Sequence, residues 1–442
     1  MNYPVIPDFA ELSGRLTEYA RTAAERGADP AAALQAAETA LTGAIAALRA
    51  LPASPDNLSR QPSGYRDILA LRPDGPRRLW TSFDETRYAD KLAGALLGRM
   101  AGCTLGAPVE FWEIERMEKW AAHIGDPFPP TDYWTDIPEP YATRYSVSPR
   151  SAYTRDGMDG VPVDDDIVYT LLGLLIAEEH GLNFTTDDAG KAWLKYLPMA
   201  CTAEHVALEA LKAGIPAGEA AEHDNPYIHW IGADIRADPF GYLAPGHPEL
   251  AARMAYRDAY LSHRQNGIYG EMYFAAVIAA AFAVDNAIDA LTLGLSEIPR
   301  DCDLARDVRW ALEAGKGIHN YKDARAAVEE RFRGMSRVHT NNNACLTVFG
   351  LLIGGGCFTK TICETVAMGL DNDCTAATAG SIAGAVAGCS GIDTRWTKPF
   401  NNTVRSYFHG NPDFAIDDVL RRFTVQAKRS FQAQSPSAGL DI

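Results

Sequence analysis

The sequence predicts an all-α protein. Apolar residues recur with helical periodicity along most of the 442 residues, and alternating strand patterns are scarce. Two segments, 94–106 and 380–388, carry glycine at every fourth position, which aligns the glycines on one face of a helix. Glycine costs about 1 kcal/mol relative to alanine inside a helix. The repetition therefore predicts that these two helices cross with their backbones close together.

The first 80 residues are predicted to form a helical hairpin and a connector. Residues 9–25 and 30–51 are amphipathic, and Asp29 followed by Pro30 suits the start of the second helix. Residues 52–78 are rich in Pro, Ser, Asp and Arg, which is typical of a connector. The sequence leaves three roles open for this extension: it covers a cleft, makes a dimer contact or extends the core. Residues 81–431 are predicted as the main domain and 432–442 as a disordered tail.

The main domain is predicted to contain a series of helices and one long loop. Helices are expected within segments 91–106, 167–176, 187–197, 203–212, 248–263, 272–284, 304–314, 322–332, 344–352, 358–370 and 413–431. Residues 124–160 lack helical periodicity and are dense in Pro, Tyr, Thr and Asp. A loop of this length usually has a function. Because it leads directly into an acidic triad, we interpret it as a wall of the functional site.

Acidic residues stand at the start of two predicted helices. Asp164, Asp165 and Asp166 precede an apolar helix, and three adjacent carboxylates resist burial unless a cation neutralises them. A helix cap is the alternative, although one Asp is enough for a cap. Asp371 and Asp373 are separated by one residue and can share a cation, the alternative being a solvated turn. The triad favours a metal site.

Glu110 follows the first glycine-bearing helix. If that helix crosses the second glycine-bearing helix, Glu110 shares one end of the crossing with Asp371 and Asp373. The sequence therefore predicts that carboxylates from these two segments meet.

Six segments occur in the order found in the ADP-ribosylglycohydrolase family, which includes the dinitrogenase-reductase-activating glycohydrolases and certain jellyfish lens crystallins. They are GRMAGCTLGAPVE at 98–110, DDD at 164–166, WIGADIRADPFGYLAPGHPELA at 230–251, NGIYGEMYFAA at 266–276, HTNNNACL at 339–346 and LDNDCTAATAGSIAGAVAG at 370–388. The chain thus resembles this family over residues 85 to 430.

The resemblance implies an orthogonal helical bundle whose central cleft holds two divalent cations, usually Mg²⁺, with Mn²⁺ as a possible substitute. It also implies hydrolysis of the glycosidic bond at C1″ of an ADP-ribosyl or related ribosyl group. The implied catalytic residues are Asp165 and Asp166, with Glu110 as the other candidate base. The implied metal ligands are Asp164, Asp165, Asp166, Asp371, Asp373 and Thr375.

The sequence departs from the family pattern at two positions. Asp164 stands where Thr is commoner. Cys374 stands where the last motif usually has Thr, and Thr375 comes one place late. A thiol is a poor ligand for Mg²⁺, which prefers oxygen. The Thr375 hydroxyl or a water molecule is expected to take that position, unless one cation site is weakened.

Four further residues are candidate substrate contacts, each with a structural alternative. Glu271 touches substrate or places a charge at the start of the helix at 272–284. Asn342 and Asn343 recognise hydroxyls or adenine, or else cap a helix. Tyr242 stacks on a base, although packing in the core or a loop is the favoured account of its ring.

Composition narrows the function classes. The net charge of −16 argues against a nucleic-acid-binding surface. The eight cysteines show no CxxC spacing and are typical of reduced residues in a cytoplasmic protein. The start of the sequence lacks the features of a signal peptide, and the apolar run 274–284 is too short to span a bilayer. We therefore expect a cytoplasmic location and no membrane contact, with oligomerisation left open.

Two classes of function remain at this point. The leading hypothesis is a Mg²⁺-dependent hydrolase acting on a small-molecule or protein-linked ADP-ribosyl substrate, or on a different N-riboside. The alternative is a non-catalytic relative that keeps the fold for a structural or ligand-binding purpose, like the crystallins. The clustered carboxylates Asp165, Asp166, Asp371 and Asp373 favour the hydrolase, because an idle site gains nothing from them.

Overall fold

Helices make up most of the protein in the computed structural model, which describes residues 3–410 and 413–433. The predicted all-α class is confirmed. The α-helices of the described residues are α1 Phe9–Glu25, α2 Ala31–Arg49, α3 Pro55–Arg60, α4 Tyr65–Leu71, α5 Glu85–Gly106, α6 Ile114–Ile124, α7 Asp165–His180, α8 Thr186–Tyr196, α9 Thr202–Lys212, α10 Ala217–Ala220, α11 Ala237–Leu243, α12 Pro248–Ala259, α13 Asn266–Ala281, α14 Ala287–Gly294, α15 Asp303–Ala314, α16 Tyr321–Arg331, α17 Thr340–Gly354, α18 Phe358–Ala367, α19 Asn372–Ala387 and α20 Ile416–Ala433.

Two short hairpins interrupt the helices. Strand β1 (Thr143–Arg144) pairs antiparallel with β2 (Ser148–Pro149). Strand β3 (Thr403–Arg405) pairs antiparallel with β4 (Asp413–Ala415). The first hairpin lies inside the predicted loop at 124–160 and carries part of the site described below.

The chain divides into two compact units, Met1–Ser59 and Arg60–Ile442. The first contains the predicted hairpin of α1 and α2, and none of the side chains on these two helices is buried. The Asp8 carboxylate accepts a hydrogen bond from the Glu11 amide at 2.8 Å and so caps α1. The predicted domain boundary at residue 80 falls inside the second unit.

The second unit is built around the antiparallel pair α5 and α19. A Cβ atom placed on Gly94 would lie 2.3 Å from the Gly384 carbonyl oxygen, and one on Gly98 would lie 2.3 Å from that of Gly380. Both distances are far below van der Waals contact, so only glycine permits this approach. The predicted close crossing of the two glycine-bearing helices is confirmed.

Two helices that are buried on every side complete the core around this pair. Each residue of α13 is buried, and so is nearly every residue of α17. Helix α13 packs against α11, α12 and α14, while α18 lies between α17 and α19. These helices are apolar all round, as expected for helices inside a large domain.

The structure corrects the sequence prediction at two segments. The connector at 52–78 contains helices α3 and α4, and α4 buries Ile68 completely. Residues 413–415 form β4 and not the first turn of a helix, because Phe414 pairs with the buried Val404 of β3. Of the predicted disordered tail at 432–442, residues 434–442 lie outside the described part of the chain.

Within residues 3–410 and 413–433, two helices are long and apolar enough to cross a membrane, judged by length and composition alone. They are Ala31–Arg49 and Glu85–Val109. The second consists of α5 and the 3₁₀ turn that follows it, and most of it is buried inside the protein. That burial is what a core helix requires.

Candidate active site

Three helix ends meet at the candidate site. Helices α5 and α19 are antiparallel, so the end of α5 lies beside the start of α19, and a Cβ on Gly106 would be 2.6 Å from the Asp373 Cα. Glu110 follows α5 after the turn Ala107–Val109, and Asp164 caps the start of α7. Two helix N-termini therefore point their partial positive charge at the acidic residues.

Arg99 connects α5 to α7 inside the core. Its side chain is fully buried, and its Nη2 donates to the Asp166 carboxylate at 3.1 Å and to the Asp166 carbonyl at 2.9 Å. Its Nη1 donates to Asp238 at 2.7 Å, and its Nε donates to Thr170 at 2.7 Å. Because all of these contacts are buried, they fix the orientation of the Asp166 carboxylate.

The acidic triad is divided by exposure. Asp164 and Asp166 are buried, whereas Asp165 is half-buried. Burial raises the pKa of both Asp165 and Asp166, and Arg99 opposes the rise at Asp166. The Asp164 carboxylate accepts from the Asp166 amide at 3.2 Å, so the predicted capping role is present as well. Asp165 Oδ1 shares the same amide at 3.1 Å, so one amide is bound by two carboxylates, more than a cap requires.

Asp371 and Asp373 supply carboxylate oxygens that lack a partner. Both side chains are buried, and within residues 3–410 and 413–433 neither Asp371 Oδ1 nor Asp373 Oδ1 accepts a hydrogen bond. Burial raises the pKa of both groups. A buried acceptor without a partner costs free energy. A cation between these two oxygens would remove that cost.

The side chains of Cys374 and Thr375 point in different directions. The Cys374 thiol donates to Asp166 Oδ2 at 3.1 Å, and its sulfur lies within 4.8 Å of ligand oxygens of Asp371 and Asp373. The Thr375 hydroxyl instead donates to the Asp371 carbonyl at 3.0 Å, one turn back along α19. The thiol contacts the carboxylates, while the Thr375 hydroxyl contacts the backbone, so these contacts do not support the expected ligand role of Thr375, which stays a prediction.

Arg144 is a site residue that the sequence prediction missed. It lies at the end of β1, and its guanidinium contacts three carboxylates. Nη1 donates to Glu110 Oε2 at 2.7 Å, while Nη2 donates to Asp164 Oδ2 at 2.8 Å and to Asp373 Oδ2 at 3.0 Å. The predicted meeting of Glu110 with the start of α19 is present, and one cationic side chain joins these residues to Asp164.

Tyr145 follows Arg144 and reaches the remaining carboxylate of the triad. Its hydroxyl donates to Asp165 Oδ1 at 2.7 Å, and its ring packs against Tyr407 with centroids 5.5 Å apart. The loop at 124–160 therefore places two side chains among the acidic residues. The interpretation of this loop as a wall of the site agrees with these contacts.

The sequence matches the family model for ADP-ribosylglycohydrolase over residues 84–429. The chain belongs to the ADP-ribosylglycohydrolase family. Family members are glycosidase-type hydrolases that depend on a metal, and the chain is accordingly a glycoside hydrolase.

Other comparisons are more distant. No curated protein matches the sequence. One solved structure, described as an ADP-ribosylglycohydrolase-related protein complex, is 19% identical, with a TM-score of 0.48, covering 79% of this chain and 100% of the matched chain. At this low similarity, the solved structure supports no argument about the chemistry of this chain.

Two predicted substrate contacts of this glycoside hydrolase lie in the core. Tyr242 is fully buried, its hydroxyl is within 3.0 Å of Asp238 Oδ1, and its ring contacts Phe282 and Phe423. Glu271 is also fully buried and accepts from Arg236 at 3.3 Å. Packing accounts for Tyr242, and charge pairing accounts for one oxygen of Glu271, whose Oε1 has no partner among the described residues. Both side chains are closed off from solvent.

The predicted asparagine contacts hold the segment in front of α17. Asn342 Nδ2 donates to the Ser336 carbonyl at 2.9 Å, and Asn343 Nδ2 donates to the Arg337 carbonyl at 2.8 Å. His339 caps the helix, since its Nδ1 accepts from the Asn341 amide at 3.1 Å. The two amides thus tie the first turn of α17 to the loop before it, and the cap that the sequence left as the alternative is supplied by His339 and not by the asparagines.

Acid is expected to destabilise the protein through His339. Burial and the neighbouring His229 lower the pKa of His339 to about 3. In the unfolded chain its pKa is near the ordinary value of about 6.5, so the unfolded state binds more protons between these values. Neutral His339 therefore contributes fully to the free energy of unfolding above the unfolded pKa. This free energy falls by about 2 kcal/mol when the pH drops from about 7.5 to about 5.

The His339→Asn variant keeps a capping acceptor but cannot titrate. Denaturant unfolding across this pH range is expected to show a smaller acid loss for this variant than for the wild type. His123→Asn, on the exposed end of α6, is the control. An identical pH dependence for wild type and His339→Asn would show that His339 is not a source of the acid destabilisation.

Proposed function

We propose that this glycoside hydrolase cleaves the bond at C1″ of an ADP-ribosyl group and requires Mg²⁺, with Mn²⁺ as a substitute. The observation that carries the proposal is the pair of buried, unpartnered oxygens on Asp371 and Asp373 near Asp164 and Asp166. Buried carboxylates in this number are stable only with positive charge nearby. Oxygen ligands are those that Mg²⁺ prefers.

The residues suited to hold the cation are Asp371, Asp373 and Asp166. The Asp166 carboxylate is held by Arg99 on one oxygen and accepts only a weak thiol donor on the other. A bound Mg²⁺ supplies charge that orients ribose hydroxyls and lowers the pKa of bound water. Asp166 thus serves as a ligand with a fixed orientation.

Asp165 is the proposed general base. It is the most accessible carboxylate of the triad, and the Tyr145 hydroxyl holds one of its oxygens. Glycoside hydrolysis needs a carboxylate that takes a proton from the attacking water while positive charge develops on the sugar. Glu110 is also half-buried and remains the alternative base.

The proposed substrate is an ADP-ribosyl group on a small molecule or a protein side chain. The chain carries a net charge of −16, and a diphosphate is an anion, so long-range charge opposes binding. Binding of the diphosphate is therefore expected to depend on the cation and on local cationic side chains.

Thermal melting tests the proposal without knowledge of the leaving group. We expect Mg²⁺ or Mn²⁺ to raise the melting temperature of the chelator-treated chain, and added ADP-ribose to raise it further, because each binds only the folded state. A cation response without an ADP-ribose response would redirect the proposal to other ribosides. The absence of any response would contradict it.

Removing the Tyr145 hydroxyl is expected to slow turnover. In Tyr145→Phe, Asp165 loses a hydrogen bond of 2.7 Å, which corresponds to a decrease in kcat of about fivefold with KM little changed. Tyr141→Phe is the control, since Tyr141 belongs to the same loop and is 90% exposed. Equal kcat values for Tyr145→Phe and wild type would remove Tyr145 as a positioning residue.

A further inference from the structure

We propose that the Arg144 guanidinium permanently takes the place of one of the two cations, so that this chain binds a single divalent ion. The inference deepens the proposed metal-dependent function and rests on it. It concerns a residue outside the acidic motifs that carry the family resemblance.

The first argument is the set of atoms that Arg144 contacts. Its guanidinium donates to one oxygen each of Glu110, Asp164 and Asp373, which come from three separate helix ends. A fourth hydrogen bond, at 2.8 Å, goes to the carbonyl of Ala107. Four oxygens from three segments around one positive group are the environment that a cation would otherwise occupy. The planar fork of arginine suits several carboxylates at once.

The second argument is charge. Asp164 and Asp373 are nearly inaccessible, with side-chain exposures of 1% and 2%. A second divalent ion at these oxygens would lie against the guanidinium, and two cations in contact repel strongly in a buried site. Asp164 itself stands where Thr is commoner, and this additional carboxylate is one of the three that Arg144 neutralises. The residues therefore do not fit a second ion.

The third argument is the way the backbone holds Arg144. The β1–β2 hairpin turns at Tyr145 and Ser146, which have φ values of 50° and 58°. Non-glycine residues adopt this region at a cost and persist there when surrounding contacts hold them. Tyr145 bonds Asp165 on one side, and Arg150 donates to the Pro108 carbonyl at 2.7 Å on the other. The hairpin is anchored at both ends, which keeps Arg144 in place.

The fourth argument concerns the oxygens left over. Asp373 gives Oδ2 to Arg144 and leaves Oδ1 without a partner, and Asp371 Oδ1 is also free of hydrogen bonds within the described residues. One position for a divalent ion thus remains, on the side of Asp373 away from Arg144. A centre of one Mg²⁺ and one guanidinium carries one positive charge fewer than a centre of two Mg²⁺.

The test is the number of Mn²⁺ ions bound per chain, measured by equilibrium dialysis and by titration calorimetry on the full chain after chelator treatment. We expect one ion for the wild type. Arg144→Ala is expected to bind two, a twofold increase, because it opens the position among Glu110, Asp164 and Asp373. Arg155→Ala removes another arginine of the loop at 124–160, which pairs with Asp132 at 3.2 Å and touches none of these carboxylates, and this variant is expected to bind one.

The outcomes separate this inference from the proposed function. Two ions on the wild type would overturn the role of Arg144 while the metal-dependent function stands, and this result does not depend on whether any variant folds. No bound ion would overturn both. One ion on a folded Arg144→Ala chain, with folding checked by circular dichroism, would also overturn the inference. One ion on wild type and two on Arg144→Ala would establish it.

Discussion

The Gly102→Ala variant is expected to lose about 3 kcal/mol or more of the free energy of unfolding. The new Cβ would lie 2.0 Å from the Ala376 carbonyl oxygen and 2.4 Å from the Ala376 carbonyl carbon. Because both neighbours are backbone atoms, the clash is relieved only by separating α5 from α19. That movement would also shift the start of α19, where Asp371 and Asp373 lie.

Denaturant unfolding followed by tryptophan fluorescence measures this effect, since all eight tryptophans lie in the second compact unit. Gly218→Ala is the matched control, because a Cβ at Gly218 meets nothing within 4 Å. We expect that control to be neutral or slightly stabilising. A Gly102→Ala chain as stable as wild type would contradict the close crossing.

The Asp371→Asn variant is expected to fold but to lose the response to divalent cations and at least about 99% of the hydrolytic rate. Asparagine has nearly the same shape as aspartate, and the Asp371 side chain makes no capping hydrogen bond at the start of α19. The change removes a buried negative charge from a cluster of carboxylates. In chelator the melting temperature should therefore stay level or rise.

Melting curves with and without Mn²⁺, together with rates of ADP-ribose release, test this prediction. Asp187→Asn is the control, since Asp187 is an exposed acidic residue in the first turn of α8. We expect the control to match wild type in every measurement. If Asp371→Asn kept both its cation response and its activity, the ligand assignment would be wrong.

The sequence predicted those features that depend on local periodicity. The four-residue glycine spacing at 94–106 and 380–388 is a property of each helix taken alone, and the close approach follows from the cost of glycine in helices. The acidic residues at 164–166 and 371–373 were predictable for the same reason, because they stand next to the helix starts that they occupy. In these places local pattern and tertiary structure agree.

Arg144 was not predictable in the same way. The loop at 124–160 contains three arginines, Arg144, Arg150 and Arg155, and no periodicity distinguishes them. Which one reaches the carboxylates depends on the hairpin geometry and on contacts with residues up to 229 positions away. The sequence did contain a weaker indication of such a residue. Six acidic residues in one site require positive charge, and an arginine in the loop next to the triad is one source of it.

Other differences have equally specific causes. Residues 413–415 were predicted as helix because the pattern that follows them is helical, but pairing with β3 across the sequence decides their conformation. Tyr242 and Glu271 were plausible contacts because polar groups in a family motif suggest a ligand. Their partners, Asp238 and Arg236, are themselves buried, and such pairs are visible only in three dimensions.

The most direct test of the account is the release of ADP-ribose by the full chain from conjugates with arginine, serine or a nucleic acid end, in Mg²⁺ and in chelator. We predict release from at least one conjugate in Mg²⁺, loss of that release in chelator and recovery when Mg²⁺ is restored. Release at the same rate in chelator, or no release from any conjugate in Mg²⁺, would contradict the account.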